Sequence, residues 1–275
     1  MPARITRPAQ PGRLAGLGRL ATVTLAAAAA LTILAAPAEA QRRGGGGQPR
    51  YEEPGDNPRY DGRYTFVRLR YEMGIDMNMG RGRGLPPWAH DYPRGERNFT
   101  KILAELTTIK TRSHESVVLA LDDPELLKYP VSYMSEPGFW RPTDREVAAF
   151  GTYLRKGGFV IFDDFREYDW NNLEAQMKRV LPEARFLRID GTHPIFDSFY
   201  RINDPESLTS YGRLQPTYWA IFEDNDPAKR MIAIADRDND ISEYWEWSDT
   251  GIYAVDLSNE AYKIGINYLV YALSR

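Results

Sequence analysis

The stretch that decides the fold is Thr143–Asp164, TDREVAAFGTYLRKGGFVIFDD. Thr143 and Glu146 form a capping-box pattern, in which each side chain satisfies a free N–H at a helix start. Val147, Phe150 and Leu154 recur at helical spacing and define one apolar face. Gly157-Gly158 stops the helix, because glycine tolerates the left-handed conformation needed there. Phe159–Phe162 then runs apolar without alternation, the pattern of a strand covered on both faces. A helix feeding directly into a doubly covered strand implies a parallel sheet with helices packed on both sides.

The same rhythm extends outward. Upstream, Tyr64–Tyr71 reads as a strand, and Glu72–Arg97 as a long Gly-, Met-, Pro- and Arg-rich loop. Asn98 is placed to cap a helix with the apolar stripe Phe99, Ile102, Leu103, Leu106 and Ile109. Val117–Leu121 and Val131–Ser135 are further strands, separated by the turn Asp122-Asp123-Pro124. Downstream, Leu173, Met177, Val180 and Leu181 mark a helix closed by Pro182, and Phe186–Ile189 a strand. Tyr218–Phe222 and Met231–Ala235 look like a strand pair of antiparallel type. Asn259 or Ser258 caps a last helix, Glu260–Leu273, apolar nearly all round. The expected class is α/β: a mostly parallel sheet, helices on both faces, and an antiparallel extension. No internal repeat is visible.

The N-terminus bears on the compartment. Arg4, Arg7, Arg13 and Arg19 precede an apolar run from Leu20 to Ala36, and Ala38-Glu39-Ala40 is a small-x-small cleavage pattern. This is the signature of a secretory signal peptide over residues 1–40. No adjacent arginine pair precedes the run, so the general secretion route is favoured over the twin-arginine route. The protein is expected to be periplasmic or secreted, or membrane-anchored if the segment stays uncleaved. Residues 41–61, rich in Arg, Gly, Pro and Gln, read as a disordered segment, and residues 62–275 as a single α/β domain. Arg42, Arg43 and Arg50 could touch anionic lipid or a cell-wall polymer, but a solvated linker is the simpler role.

Composition narrows the chemistry. There are no cysteines, which excludes disulfides, thiolate metal sites, a lipoprotein anchor and a cysteine nucleophile. The net charge of −3 leaves no footprint for nucleic-acid binding. A hydrophobic share of 43% is enough to build a large core.

Ligands bind beyond the carboxyl ends of strands in open α/β sheets, and three segments there carry suggestive side chains. Asp163-Asp164 ends the buried strand; two adjacent carboxylates can bind a hard cation or supply a general base. Alternatively they cap the loop that follows. Ser135–Arg141 ends the preceding strand, with Glu136 and Arg141 as polar contacts and Trp140 as a stacking face for a glycan or small polar ligand. Ser135 lies in no G-x-S-x-G elbow. Thr192–Phe196 carries His193, a candidate proton carrier or metal ligand, or simply a structural histidine. His90 lies in the long loop and His114 at a helix–strand turn.

Weaker features remain. Asp236, Asp238, Asn239 and Asp240 resemble part of a calcium loop, without the glycine and closing glutamate of an EF-hand. Tyr244, Trp245 and Trp247 read as a flap packed on the core rather than a ligand platform. Met73, Met77 and Met79 suggest an adaptable contact surface. The glycine-rich loop holding them has no phosphate-binding P-loop pattern.

Several stretches together resemble a known family. They are Phe66–Tyr71; Trp88 with Asp91-Tyr92-Pro93; Asn98-Phe99 leading to Glu105-Leu106-Thr107; and Leu121–Leu126. Tyr133–Gly138, Gly157–Phe165 and His193–Phe196 complete the set. The domain is similar to the bacterial family known as domain of unknown function 4159, which has no established activity. At fold level the resemblance implies a class I glutamine-amidotransferase-like (flavodoxin-like) sheet, a group that includes trehalose-utilisation-type domains. In that fold the strand matching Gly158–Phe162 ends at the amidotransferase cysteine. Here Asp163 or Asp164 stands in its place, so thiol chemistry is lost and a pocket position remains.

Three functions follow as expectations. The first is an exported, non-amidotransferase module binding a glycan or small polar ligand through Glu136, Trp140 and Arg141. The second is a hydrolase using Asp163, Asp164 and His193, with a divalent metal as possible cofactor; it requires those side chains to converge. The third is a structural component of an envelope assembly, bound to a protein partner and tethered by the Arg-Gly segment.

Overall fold

The capping box, glycine stop and apolar run of the deciding stretch are all present in a computed structural model of the chain. The structure describes residues 53–73 and 85–274, all within the unit Tyr51–Arg275. The expected signal peptide, residues 41–52 of the Arg/Gly/Pro-rich segment, and Met77 and Met79 lie outside the described residues. Among the described residues, no helix is long and apolar enough to cross a membrane.

Among the described residues, seven strands form one sheet: β1 (Tyr64–Arg70), β2 (Thr111–Ala120), β3 (Val131–Ser135), β4 (Phe159–Phe165), β5 (Leu187–Ile189), β6 (Thr217–Phe222) and β7 (Met231–Arg237). Their order is β2-β1-β3-β4-β7-β6-β5. The five strands from β2 to β7 in that order are parallel, and β6 pairs antiparallel with both β7 and β5. The α/β class and the antiparallel extension are therefore as the sequence predicts. The helices are α1 (Arg94–Leu106), α2 (Asp144–Arg155), α3 (Asp169–Val180), α4 (Ile241–Glu246) and α5 (Val255–Leu273).

Strand side chains alternate between two cores. Phe66, Tyr133 and Ile161 face one side, packed with Phe99 and Leu103 of α1, Trp245 of α4 and Tyr268 of α5. Val67, Met134 and Phe162 face the other, against Phe150 and Leu154 of α2 and Leu173 and Met177 of α3. Central strands buried on both sides carry continuous apolar runs for this reason. Gly157, at φ 112°, ends α2 in a conformation that a side chain resists. Gly265 of α5 serves by close approach: a Cβ there would lie 2.5 Å from the Trp245 ring and 2.7 Å from Phe99.

Four expectations need correction. Helix α1 begins at Arg94, so Asn98 is inside it; its amide instead donates to the carbonyls of Trp245 (2.9 Å) and Glu246 (3.3 Å), satisfying the end of α4. Strand β2 begins at Thr111, because its polar first half still pairs with β1 across an irregularity that includes His114 at φ 66°. Helix α5 begins at Val255, so Ser258 and Asn259 are within it; Asp256 occupies its first turn, where a negative charge suits the helix dipole. The end of the segment expected to be disordered is held by contacts. Asn57 bonds the main-chain O and N of Val118 on β2, each at 2.9 Å, and Arg112 reaches Asp61 at 2.6 Å.

Candidate metal centre

The site forms where β1, β3, β4 and β7 end. Strand β4 carries the two aspartates, and its register with β7 slips between Phe162 and Phe165. Asp164 sits in that irregularity at φ 57°, a left-handed conformation that separates it from its neighbour. Asp163 keeps the strand alternation. It accepts the N–H groups of Ile241 and Ser242 at 3.1 Å and the Tyr133 hydroxyl at 2.8 Å. It thereby ties β4 to the start of α4. Burial and the adjacent Asp164 charge push its carboxyl up to about 7.

Asp164 turns outward to different partners. Its carboxylate is bonded by His90 Nδ1 and by the Tyr211 hydroxyl, with the Ser135 hydroxyl at 3.4 Å. Burial alone would raise its pKa; the His90 charge and the bonds from His90 and Tyr211 hold it below the usual range. His90 shifts the other way. Burial opposes its protonation, but Asp91 and Asp164 outweigh that and raise it well above the ordinary histidine value.

A buried arginine on β1 delivers His90 and Asp91. Arg68 is fully enclosed, pairs with Glu96 of α1, and donates to the carbonyls of Trp88 (3.0 Å) and His90 (2.8 Å). Its guanidinium lies 5.0 Å from the Tyr133 ring centroid. One strand residue thus fixes the loop that carries both ligand candidates. Asp91 adopts φ 62° and accepts the Ser242 hydroxyl at 2.6 Å through Oδ2. Its Oδ1 has no hydrogen-bond partner although the residue is 3% exposed. Left-handed backbone at a non-glycine residue costs on the order of 1–3 kcal/mol unless its surroundings enforce it. Asp91, Glu136, Asp164 and Asp238 all adopt it at this end of the sheet.

Asp240 comes from the β7–α4 connection. It caps α4 by accepting the Glu243 N–H at 2.9 Å, and burial with the charges of Asp164 and Asp91 raises its pKa well above normal. The loop carrying Tyr211 is fastened nearby: Ser210 bonds Asn239 at 2.7 Å and the Asp240 carbonyl at 3.0 Å. Arg166 lies 4.3 Å from the Tyr211 ring centroid.

His90, Asp91, Asp164 and Asp240 each offer a ligand atom, and all four atoms lie within 4.8 Å of one another. A second group, Asp91, Glu243 and Glu246, meets the same limit and shares Asp91 with the first. Three buried carboxylates beside one imidazole are the donor set of a divalent cation of intermediate hardness.

The expected site residues fare differently. Asp164 joins the cluster and Asp163 supports it from below. His193 does not join: its Nδ1 accepts the Ile195 N–H at 3.2 Å, and its ring lies 5.8 Å from those of Phe222 and Tyr271. Phe222 pairs with Met231, at the opposite end of the sheet from Asp163. The histidine that meets the aspartates is His90. Trp140 is fully buried, packed edge-on to Phe150 and beside Phe162, so it offers no stacking face. Arg141 donates to the carbonyls of Trp140 (2.8 Å) and Gly138 (3.4 Å) in its own loop. Glu136 is half-buried, and its carbonyl accepts the Tyr71 hydroxyl at 2.7 Å.

Of the calcium-like run, only Asp240 reaches the cluster. Asp236 accepts the Tyr268 hydroxyl at 2.8 Å, Asp238 accepts the Glu167 N–H at 2.8 Å, and Asn239 binds Ser210. Trp245 is core, as the packed-flap reading predicts.

The family described as domain of unknown function (DUF4159) matches residues 65–273, and the chain belongs to it. No curated protein matches the chain.

Proposed function

We propose that the chain is an exported α/β protein that binds a divalent metal ion through His90, Asp91, Asp164 and Asp240 and uses it in hydrolysis. The observation that carries this reading is the convergence of those four ligand atoms within 4.8 Å. Buried carboxylates this close repel one another, and such groups are normally paired with cations or coordinate metals. The Asp91 Oδ1 atom, enclosed and without a hydrogen-bond partner, is the group a cation would satisfy.

Hydrolysis is favoured by what surrounds the cluster. A bound divalent ion lowers the pKa of its water from about 16 to about 7, generating hydroxide near neutral pH. The chain has no cysteine, and the nearby hydroxyls of Ser135 and Ser242 are directed at Asp164 and Asp91. Water is therefore the nucleophile this site favours. A small polar substrate, a glycan among them, would enter beside His90 and Glu243, the partly exposed members. In this reading the sheet is a relative of the glutamine-amidotransferase-like fold, with a metal ligand at the strand end where that fold carries its cysteine.

The test uses the full chain, stripped with chelator, reloaded with Mn2+, Zn2+ or Mg2+, and assayed on chromogenic ester, phosphoester and glycoside substrates. Turnover should require added ion and fall more than about 100-fold in Asp164→Asn, since even outer-shell changes at metal sites cost about 10–100-fold. Turnover indifferent to chelator, or a D164N/D240N double variant that still retains its ion, would sink the proposal.

A further inference from the structure

We propose that this centre holds two divalent ions rather than one, with Asp91 bridging them and Glu243 and Glu246 completing the second position. The inference rests on the metal reading above and extends it.

Two overlapping ligand groups share a single residue. The first group joins His90, Asp164 and Asp240 to Asp91, and the second joins Glu243 and Glu246 to it. Glu243 and Glu246 are three residues apart on α4, a spacing that places them on one helix face. Trp245, between them in sequence, points the opposite way into the core formed by Phe99 and Gly265. Helix α4 is thereby locked with its carboxylates toward Asp91.

A cluster of acids alone would not establish a second position. The independent observation is Glu246 itself: it is 3% exposed, and its Oε2 has no hydrogen-bond partner. Asp91 is in the same condition at Oδ1. Two enclosed carboxylates facing one another, each with an unsatisfied oxygen, need either a shared proton or a shared cation. The basic side chain within these groups is His90, whose Nε2 lies 3.9 Å from Asp91 Oδ1. A carboxylate bridging two ions about 3.5–4 Å apart satisfies both faces at once, and such pairs clamp the attacking and leaving oxygens of a displacement.

The competing account is one ion with a proton held between Asp91 and Glu246, and stoichiometry separates the two. The probe is Mn2+ added to the chelator-stripped full chain, read by elemental analysis and by electron paramagnetic resonance. Two Mn2+ per chain with an exchange-coupled signal are expected, falling to one uncoupled ion in Glu246→Gln. One uncoupled ion in both proteins would overturn the second position and leave the first intact. Two ions retained in Glu246→Gln would overturn the assignment of the glutamates. No bound Mn2+ in the wild type would overturn this inference together with the metal reading. If Glu246→Gln does not fold, Glu243→Gln and the wild-type coupling decide the matter.

Discussion

Strands β1 and β5 finish at the same end of the sheet, and each is followed by a loop with a histidine. The two loops end in opposite states. After β5 the chain folds back, and His193 becomes a satisfied cap wedged between Phe222 and Tyr271. After β1 the chain is held over the sheet end by Arg68, and His90 meets Asp164 beside Asp91, whose buried Oδ1 has no hydrogen-bond donor. The first loop solves its own hydrogen bonding. The second leaves it incomplete, with Asp91 and Asp164 both in left-handed backbone. Buried polar groups without partners and strained backbone are expensive, so their coincidence marks the region built for something besides stability.

Three substitutions test that contrast. The largest effect is expected at Arg68→Met. Removing one partner of a buried ion pair leaves the other charge uncompensated and typically costs about 3–5 kcal/mol. Here Glu96 and the carbonyls of Trp88 and His90 would all lose their donor. Urea unfolding should show the loss; a change below about 1 kcal/mol would mean that the His90 loop holds itself.

Next in size is stabilisation by the ion. A ligand at 100 times its Kd contributes about 2.7 kcal/mol, which for a domain of this size is roughly 5–10 °C in Tm. Mn2+ or Zn2+ should produce that shift in the wild type and not in Asp164→Asn. The metal-free protein should also lose stability as pH rises from about 5 to 9. Asp163, near 7, and Glu246, near 9, hold protons in the folded state that unfolded carboxyls have already released. The folded form binds more protons throughout that window, so raising pH disfavours it. Bound ion should flatten the slope, and a slope of opposite sign would contradict the electrostatic picture of the cluster.

The smallest effect belongs to His193→Ala. Loss of one capping bond costs about 1 kcal/mol, and ion-dependent stabilisation should be untouched. Loss of ion binding in this variant would erase the distinction between the two loops.

The fold was legible because its signals are local. The Thr143–Glu146 box, the Gly157 stop and the runs of β3 and β4 each read correctly within a few residues. The site was half legible. Asp164 stood out at a strand end, whereas its partners arrive from Asp91, 73 positions earlier, and Asp240, 76 later. No spacing rule connects them. Helix α4, only six residues long, is too short for a periodic pattern to declare itself. The one neglected cue was Arg68, an arginine between Val67 and Leu69 in a strand otherwise suited to burial. A charge there needs a carboxylate and several carbonyls around it, and the loop supplying those carbonyls is the one that carries His90. Trp140 failed as a ligand contact because an aromatic after a strand serves the core as readily as a pocket.

The bonds from Asn57 to Val118 have a consequence for how copies of this protein meet. Strand β2 is the outermost of the sheet, and its outward main-chain groups would otherwise stand ready to accept a strand from another molecule. A single carboxamide, donating to one carbonyl and accepting from one N–H, occupies the register such a neighbour would need. A chain trimmed back to the first residue of β1 would keep its His90–Asp164 cluster whole and lose that guard, inviting aggregation through strand exchange at the far side of the sheet.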